Sequence, residues 1–459
     1  MKKLQILLIL ISLFIITPQA QAKEAQNSNA NLQYMNLQWW NKFNDENLNN
    51  YLGEVYKNNP DLKIATIKAK QSKEAIKQAF ANQLPQLYFN GNIQREFTSA
   101  TTRFGDVVIP DYNQSRYYLP LTMNYEVDIW GENYLKTKSA KKQAEMIKED
   151  ERASYISISS DFAANYYTLI GIDKLIKNQK DLITIEENIV NLEKEKYKSG
   201  LCPVYELLSE QQTLAKMNER YNSLKERQDI IINQMITQLG DRFIKDINRS
   251  DYNTISNIDI PEEISTEYIQ YRPDMKKAEE YIQKTGIDVK IARRDFLPKF
   301  TIYGQAGFNA YDWCRIFAPH TFLSNIGVAP SLDLFTGGYK KAKLRYNKLE
   351  YEKALQIYQK TILTSIQELN DAMMSVKTSN KNYQNSLERF NLEKEKLELA
   401  NNQFKIGARS KLDNMKDNQA ILIMEEDMVT NNINKVIFSS INLYKATGGQ
   451  DYTKPSTNL

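Results

Sequence analysis

The 459-residue chain has only two cysteines, Cys202 and Cys314, and a single histidine, His320. Two cysteines are too few for a disulfide framework. His320 has no second histidine with which to share a metal, and its Pro319-His320-Thr321 setting reads as a solvated loop. The sequence carries no Gly-rich phosphate loop and no serine or cysteine in a nucleophile setting, so neither a catalytic site, a metal nor a cofactor is expected. Excess charge of one sign is missing too, because 60 basic residues face 56 acidic ones. That balance argues against nucleic acid, which asks for a concentrated basic face. The mean hydropathy is −0.57, and beyond the first residues no run is long and apolar enough for a membrane helix.

The first 22 residues are different. Lys2 and Lys3 precede an apolar run from Leu4 to Ile16, interrupted only by Gln5 and Ser12, and Ala20-Gln21-Ala22 is a small-x-small cleavage site. This is the pattern of a secretory signal. The run is shorter than the roughly 20 residues a membrane anchor needs. No cysteine follows the expected cleavage point, so a lipid cannot be attached there.

What the chain does contain is itself, twice, at a separation of roughly 210 residues, which is a duplicated half-domain rather than a solenoid repeat. Asn59-Pro60-Asp61-Leu62 returns as Arg272-Pro273-Asp274-Met275, and Leu84-Pro85-Gln86 returns as Leu297-Pro298-Lys299. Asp128-Ile129-Trp130-Gly131 returns as Asp333-Leu334-Phe335-Thr336-Gly337, and Tyr197-Lys198-Ser199-Gly200 as Phe404-Lys405-Ile406-Gly407.

The expected division is a signal at 1–22, an N-terminal segment at 23–58, a first repeat at 59–240, a connector at 241–271, a second repeat at 272–447 and a tail at 448–459. The N-terminal segment, connector and tail are expected around a helical waist. Each repeat opens with a helix that a proline ends (Pro85 in the first), since proline lacks the N–H and restricts the residue before it. Alternating stretches follow: Leu87, Phe89, Gly91 and Ile93 against Tyr88, Asn90, Asn92 and Gln94, then Tyr117 to Val127 in the same manner. In the second repeat Phe300, Ile302, Gly304 and Ala306 oppose Thr301, Tyr303 and Gln305, and Ile326 and Val328 oppose Asn325 and Gly327. Period two predicts strands at 87–95, 117–128, 300–310 and 322–333, each with one apolar and one polar face. A soluble sheet on a core would alternate likewise. The strand lengths, the tyrosines near strand ends and the polarity of the flanking helices favour a membrane β-barrel.

Long helices are predicted at 131–199 and 337–406, each free of proline and, at 1.5 Å per residue, about 100 Å long. Leu182, Ile185, Ile189 and Leu192 step by three, four and three, a coiled-coil seam. Glutamate and lysine fill the rest, as in Glu193-Lys194-Glu195-Lys196, and read as a solvated face. Gly200 and Gly407 stop the helices in the left-handed conformation a helix end favours. Return helices are predicted at 204–239 and 411–447. The fold class is therefore mainly α with a transmembrane β portion.

This organisation resembles the TolC-like outer membrane efflux proteins over nearly all of the mature chain. The resemblance rests on Trp39-Trp40-Asn41-Lys42-Phe43, the repeated Pro-Asp and Leu-Pro motifs, Asp333-Leu334-Phe335-Thr336-Gly337-Gly338 and the two tips. The Trp-Trp opening looks most like the branch serving resistance-nodulation-division pumps, although that branch usually carries a lipidated N-terminal cysteine, absent here. The resemblance implies a homotrimer, with a twelve-stranded barrel in outer membrane lipid continuous with a periplasmic α-helical barrel. It implies a periplasmic adaptor and an inner-membrane pump as partners, and a non-enzymatic duct as the function. Physics asks for closure too, because four strands leave two open edges whose unpaired backbone groups cost several kcal/mol each in lipid.

In that family the second tip closes the periplasmic entrance with an Asp-x-x-Asp pattern, an arginine and an aromatic. Asp413, Arg409 and Phe404 match, whereas position 416 is Lys416, with Asp417 beside it. Three Asp413 carboxylates near an axis would favour cations and raise one another's pKa. A Lys416–Asp413 pair at i, i+3 would replace a second acidic ring. The plainer reading is that Asp413 favours the N-terminus of its helix. Gly200, Leu201, Gly407 and Ala408 are the expected adaptor-docking tips. A periplasmic adaptor or a coiled-coil scaffold are the alternatives, and neither needs four alternating strands in two units. Cys202 at a tip and Cys314 in a strand loop should lie far beyond the roughly 7 Å Cα separation of a disulfide.

Overall fold

A computed structural model of the chain describes residues 34–98, 103–104, 107–108, 112–241, 243, 246–255, 260–261 and 264–451. The secretion signal expected over residues 1–22 lies outside them, as does most of the tail. The described residues form two compact units that cut across both repeats. One gathers residues up to Lys63, Arg152–Arg272 and Ser365 onward; the other gathers Ile64–Glu151 and Pro273–Thr364.

In the first unit, α1 (Leu37–Trp40) is followed by a 3-10 turn at Asn41–Phe43 and by α2 (Glu46–Asn58). The aromatic residues of this short stretch anchor the core. Trp39 stacks on Tyr444 with ring centroids 4.3 Å apart, and Trp40 meets Trp39 edge-on at 4.6 Å. Trp40 Nε1 and the Tyr444 hydroxyl both donate to the Met35 carbonyl, at 3.0 and 2.9 Å. These two buried rings thus have their polar tips satisfied, as burial of such residues requires. Asp45 caps α2 by accepting from Leu48 N at 3.1 Å, and Tyr166 donates to both of its oxygens at 3.0 Å. Burial pushes the Tyr166 phenol up to about 12. The hydroxyl therefore remains a donor throughout the physiological range.

The helix α3 (Pro60–Ala81) begins in this unit, with Asn59 accepting from Leu62 N at 3.0 Å. Next in the chain are α4 (Glu132–Lys198) and α5 (Val204–Leu239). Gly240 ends α5 at φ 67°, where a Cβ would stand 2.5 Å from the Asn58 carbonyl oxygen. Only glycine fits that backbone conformation and that approach together.

The connector holds 3-10 turns at Tyr252–Thr254 and Thr266–Tyr271 and leads into α6 (Pro273–Arg294). The second long helix is α7 (Tyr339–Lys405). The return helix expected over 411–447 is not uniform. It divides into α8 (Lys411–Asn434), a π-helical stretch at Lys435–Ile441 and α9 (Asn442–Ala446). A π segment widens the helical turn and so re-aims the helix beyond it. Nearby, α4 passes so closely that a Cβ on Gly171 would stand 2.9 Å from Ile433 Cγ1.

The second unit is built on one antiparallel sheet. Its strands are β1 (Gln86–Phe89), β2 (Asn92–Thr98), β5 (Tyr112–Val127), β6 (Lys299–Ala310) and β7 (Phe322–Ser331). β3 (Arg103–Phe104) and β4 (Val107–Val108) pair as a separate short hairpin between β2 and β5. The main order is β1-β5-β6-β7, with β2 also on β5. The strand expected at 87–95 is thus two strands in a single register, since Phe89↔Leu121 and Asn92↔Tyr118 continue the same offset. Pro120 causes the break. It stands opposite Asn90 in this register and has no N–H to give, leaving one long contact from Asn90 N to the Pro120 carbonyl at 3.4 Å. On its other side Pro120 faces Gly307, where a Cβ would stand 2.6 Å from the Pro120 Cα.

One face of this sheet is apolar and uncovered. Leu87, Phe89, Ile93, Leu121, Ile326 and Val328 are all exposed on it, and Ile326 is 77% accessible. Among the described residues no strand pairs with the outer edge of β1 and β2 or of β7.

Trp39→Ala removes the ring that joins α1 to α9 and is expected to cost about 3–5 kcal/mol. A fall in the chemical denaturation midpoint, measured on the purified protein, checks this.

Candidate functional site: the helical tips

The two reversals between long and return helices are built alike. At the first, Gly200 N bonds to the Tyr197 carbonyl at 3.0 Å and Leu201 N to Lys196 at 2.9 Å. At the second, Gly407 N bonds to Phe404 at 3.0 Å and Ala408 N to Gln403 at 2.9 Å. This crossed pair of bonds caps carbonyls that a helix end would otherwise leave unpaired, and it needs a left-handed residue. Gly200 has φ 68° and Gly407 has φ 77°. A Cβ on either would meet nothing within 4 Å, so both glycines stand in the open. Leu201, Tyr205 and Ile406 are also well exposed, and Phe404 is 39% accessible.

The charged residues around the second tip pair differently from the expectation. Ser410 caps α8, accepting from Asp413 N at 3.0 Å and donating its hydroxyl to Asp413 Oδ2 at 2.6 Å. Asp413 therefore serves the helix start. Lys416 does not join Asp413; it reaches Glu210 on α5, with Nζ 3.0 Å from Oε1. Arg409 turns to Asp417, with Nη2 2.8 Å from Oδ1 and Nε 2.6 Å from Oδ2. Only the Nη2 arm has hydrogen-bond geometry, so the pair is one charge-assisted hydrogen bond with a close charge contact beside it. Asp417 is buried, which puts the Arg409 partner one position beyond the acidic spacing the sequence suggested.

The buried face of α4 holds a further surprise. Leu182 and Ile189 line it as expected, but the residues buried between and after them are Glu186 and Glu193 rather than Ile185 and Leu192. Glu193, read from the sequence as part of a solvated face, is only 3% exposed. Its run of alternating Glu and Lys hides which member faces inward, and no pattern in the sequence singles it out. Glu186 accepts from Gln419 Nε2 at 2.6 Å. Burial raises its pKa above the ordinary 4.5, opposed by the Gln419 hydrogen bond and reinforced by the nearby Glu210 carboxylate.

Further contacts tie α8 to the first helical pair. Lys174 and Asn178 on α4 both reach Glu425, at 2.8 and 2.9 Å, and Arg220 on α5 pairs with the buried Glu426. Glu186, Glu210, Gln419, Glu425 and Glu426 thus join the site, none of them singled out by sequence. Both cysteines are free.

The outer membrane efflux protein profile matches residues 51–241 and 265–449. The chain belongs to that family. Both stretches start and end close to the repeats, and together they take in the tips and the strands. A toluene efflux pump outer membrane protein of Pseudomonas putida is 22% identical over 90% of this chain and 85% of its own length. A pyoverdine export outer membrane protein of the same species is also 22% identical, over 90% of this chain and 87% of its own. The crystal structure of the CmeC outer membrane channel of Campylobacter jejuni superimposes with a TM-score of 0.80 at 25% identity, covering 91% of this chain and 90% of that one. This efflux protein is a non-enzymatic outer membrane channel, and the adaptor and scaffold readings fall away.

Arg409→Ala leaves the buried Asp417 carboxylate without its charged partner and is expected to cost about 1–3 kcal/mol. Adding Asp417→Ala should recover most of that loss, because the unpaired charge goes too. Denaturation midpoints of the two variants test the pair.

Proposed function

We propose that this channel works as a homotrimeric duct in a tripartite exporter. It would take substrates from a periplasmic adaptor and an inner-membrane pump, of the resistance-nodulation-division class on the Trp39-Trp40 resemblance. The observation that carries the trimer is the sheet, with its uncovered apolar face and two unpaired edges. In lipid, unpaired backbone groups are costly and a closed barrel removes them. Three sheets give twelve strands, counting β1 and β2 as one. The two Pseudomonas relatives are named for toluene and pyoverdine, cargoes so unlike that selection by the pump, rather than by the duct, fits best.

The tips are the working ends in this reading. Gly200, Leu201, Gly407 and Ala408 would meet the adaptor's helical hairpin, where small exposed residues permit close backbone approach. Phe404, Arg409, Asp413 and Lys416 would form the periplasmic constriction, with Asp413 carboxylates of three chains near the axis. The bonds from α8 to α4 and α5 would hold it narrow. Lys416–Glu210 and Gln419–Glu186 must part before α8 can swing away.

Heat-modifiable trimers in the outer membrane fraction are the expected result of fractionation; a soluble monomer would overturn the reading. Lys416→Ala should raise single-channel conductance in planar bilayers.

A further inference from the structure

Behind the first tip three donors converge. One carboxylate oxygen of Glu193, Cys202 Sγ and one carboxylate oxygen of Glu206 all lie within 4.8 Å of one another. They come from the last turns of α4, the Ser199–Pro203 reversal and the first turn of α5. Glu193 supplies the deciding observation. Its Oε1 meets Lys196 Nζ at 2.8 Å, whereas its Oε2 is buried with no hydrogen-bond partner. A buried carboxylate oxygen without a partner is costly, and a cation within reach removes that cost. The Cys202 thiol is held beside it by a contact to the Glu193 carbonyl oxygen at 3.5 Å.

We propose that Glu193, Cys202 and Glu206 form a site for a borderline-soft divalent cation, zinc being the fitting example, which pins the end of α4 to the start of α5. The donor set decides the class. Calcium and magnesium take oxygen ligands alone, while zinc accepts thiolate and carboxylate together in tetrahedral geometry. Three protein donors leave one position for water. Binding forms the metal–sulfur bond as the thiol gives its proton to solvent, and no electron moves. Two carboxylates and a thiolate, with Lys196 already on Glu193, then leave a net charge that a divalent cation cancels. The site lies within one chain and needs neither the gate nor the adaptor.

Cadmium titrated into the purified full-length protein reports a metal–thiolate bond through its ultraviolet charge-transfer band. One equivalent per chain is expected, with no band in Cys202→Ser and an unchanged one in Cys314→Ser. Glu206 is exposed, so Glu206→Gln should fold normally; it should weaken binding by roughly tenfold or more, the scale seen even when groups around a metal ligand are removed. Zinc should displace the cadmium and slow amide exchange across residues 193–206 in the parent but not in Cys202→Ser. A band that survives Cys202→Ser, follows Cys314, or ignores Glu206→Gln overturns the site. Exchange unchanged by zinc overturns the pinning.

Discussion

A strand at the edge of a sheet presents a row of backbone donors and acceptors that something must satisfy. Water can do so at a protein surface; the interior of a bilayer cannot. The sheet of this efflux protein combines such edges with an apolar face that, among the described residues, no helix covers. Each feature alone has other solutions, such as a helix laid over the face or a charged edge strand. Together they favour the proposed closure with further copies, which would satisfy backbone and side chains at once. The duplication then has a use beyond ancestry. Two repeats contribute two strand pairs to one sheet, so in the proposed barrel every chain would bring a matched share.

The helical part solves a different problem. A coiled-coil seam filled only with leucine and isoleucine would hold α4 against its neighbours permanently. Glu186 and Glu193 stand in that seam, and the contacts they make are polar and directional. Glu186 accepts from Gln419 on α8. Glu193 meets Lys196 on its own helix through one oxygen only. Buried carboxylates of this kind exchange some stability for contacts that are specific and directional. Polar contacts are also concentrated where α8 meets the first helical pair, at Glu210, Glu425 and Glu426. This uneven distribution suits the proposed opening at the tips.

Much of this was legible in the sequence, because periodicity and turn chemistry leave strong marks. Alternation from Leu87 to Ile93 and from Phe300 to Ala310 marks the strands, since a pleated backbone sends neighbours to opposite faces. Glycines at 200 and 407 mark the helix ends through the left-handed conformation they adopt. The hidden features depend on rotation and register. A Glu-Lys-Glu-Lys run looks alike whichever member faces inward, so Glu193 could be read as solvated. Whether Arg409 meets Asp413 or Asp417 turns on a four-residue step along α8, which decides the carboxylate the guanidinium can reach. The π-helical stretch at Lys435–Ile441 left no mark, as its residues suit an ordinary helix equally well.

Pro120 and Gly307 illustrate how a local defect specifies a global arrangement. Proline is unwelcome in an inner strand, and here it interrupts the ladder at Asn90. Its opposite neighbour on β6 has no room for a side chain. Sliding β6 by one residue would bring Ala306 or Phe308 to that spot and turn every apolar residue of the strand to the wrong face. The pair acts as a key and its slot. The register of the inner strands is thus set within the chain itself, by the fit of Pro120 against Gly307.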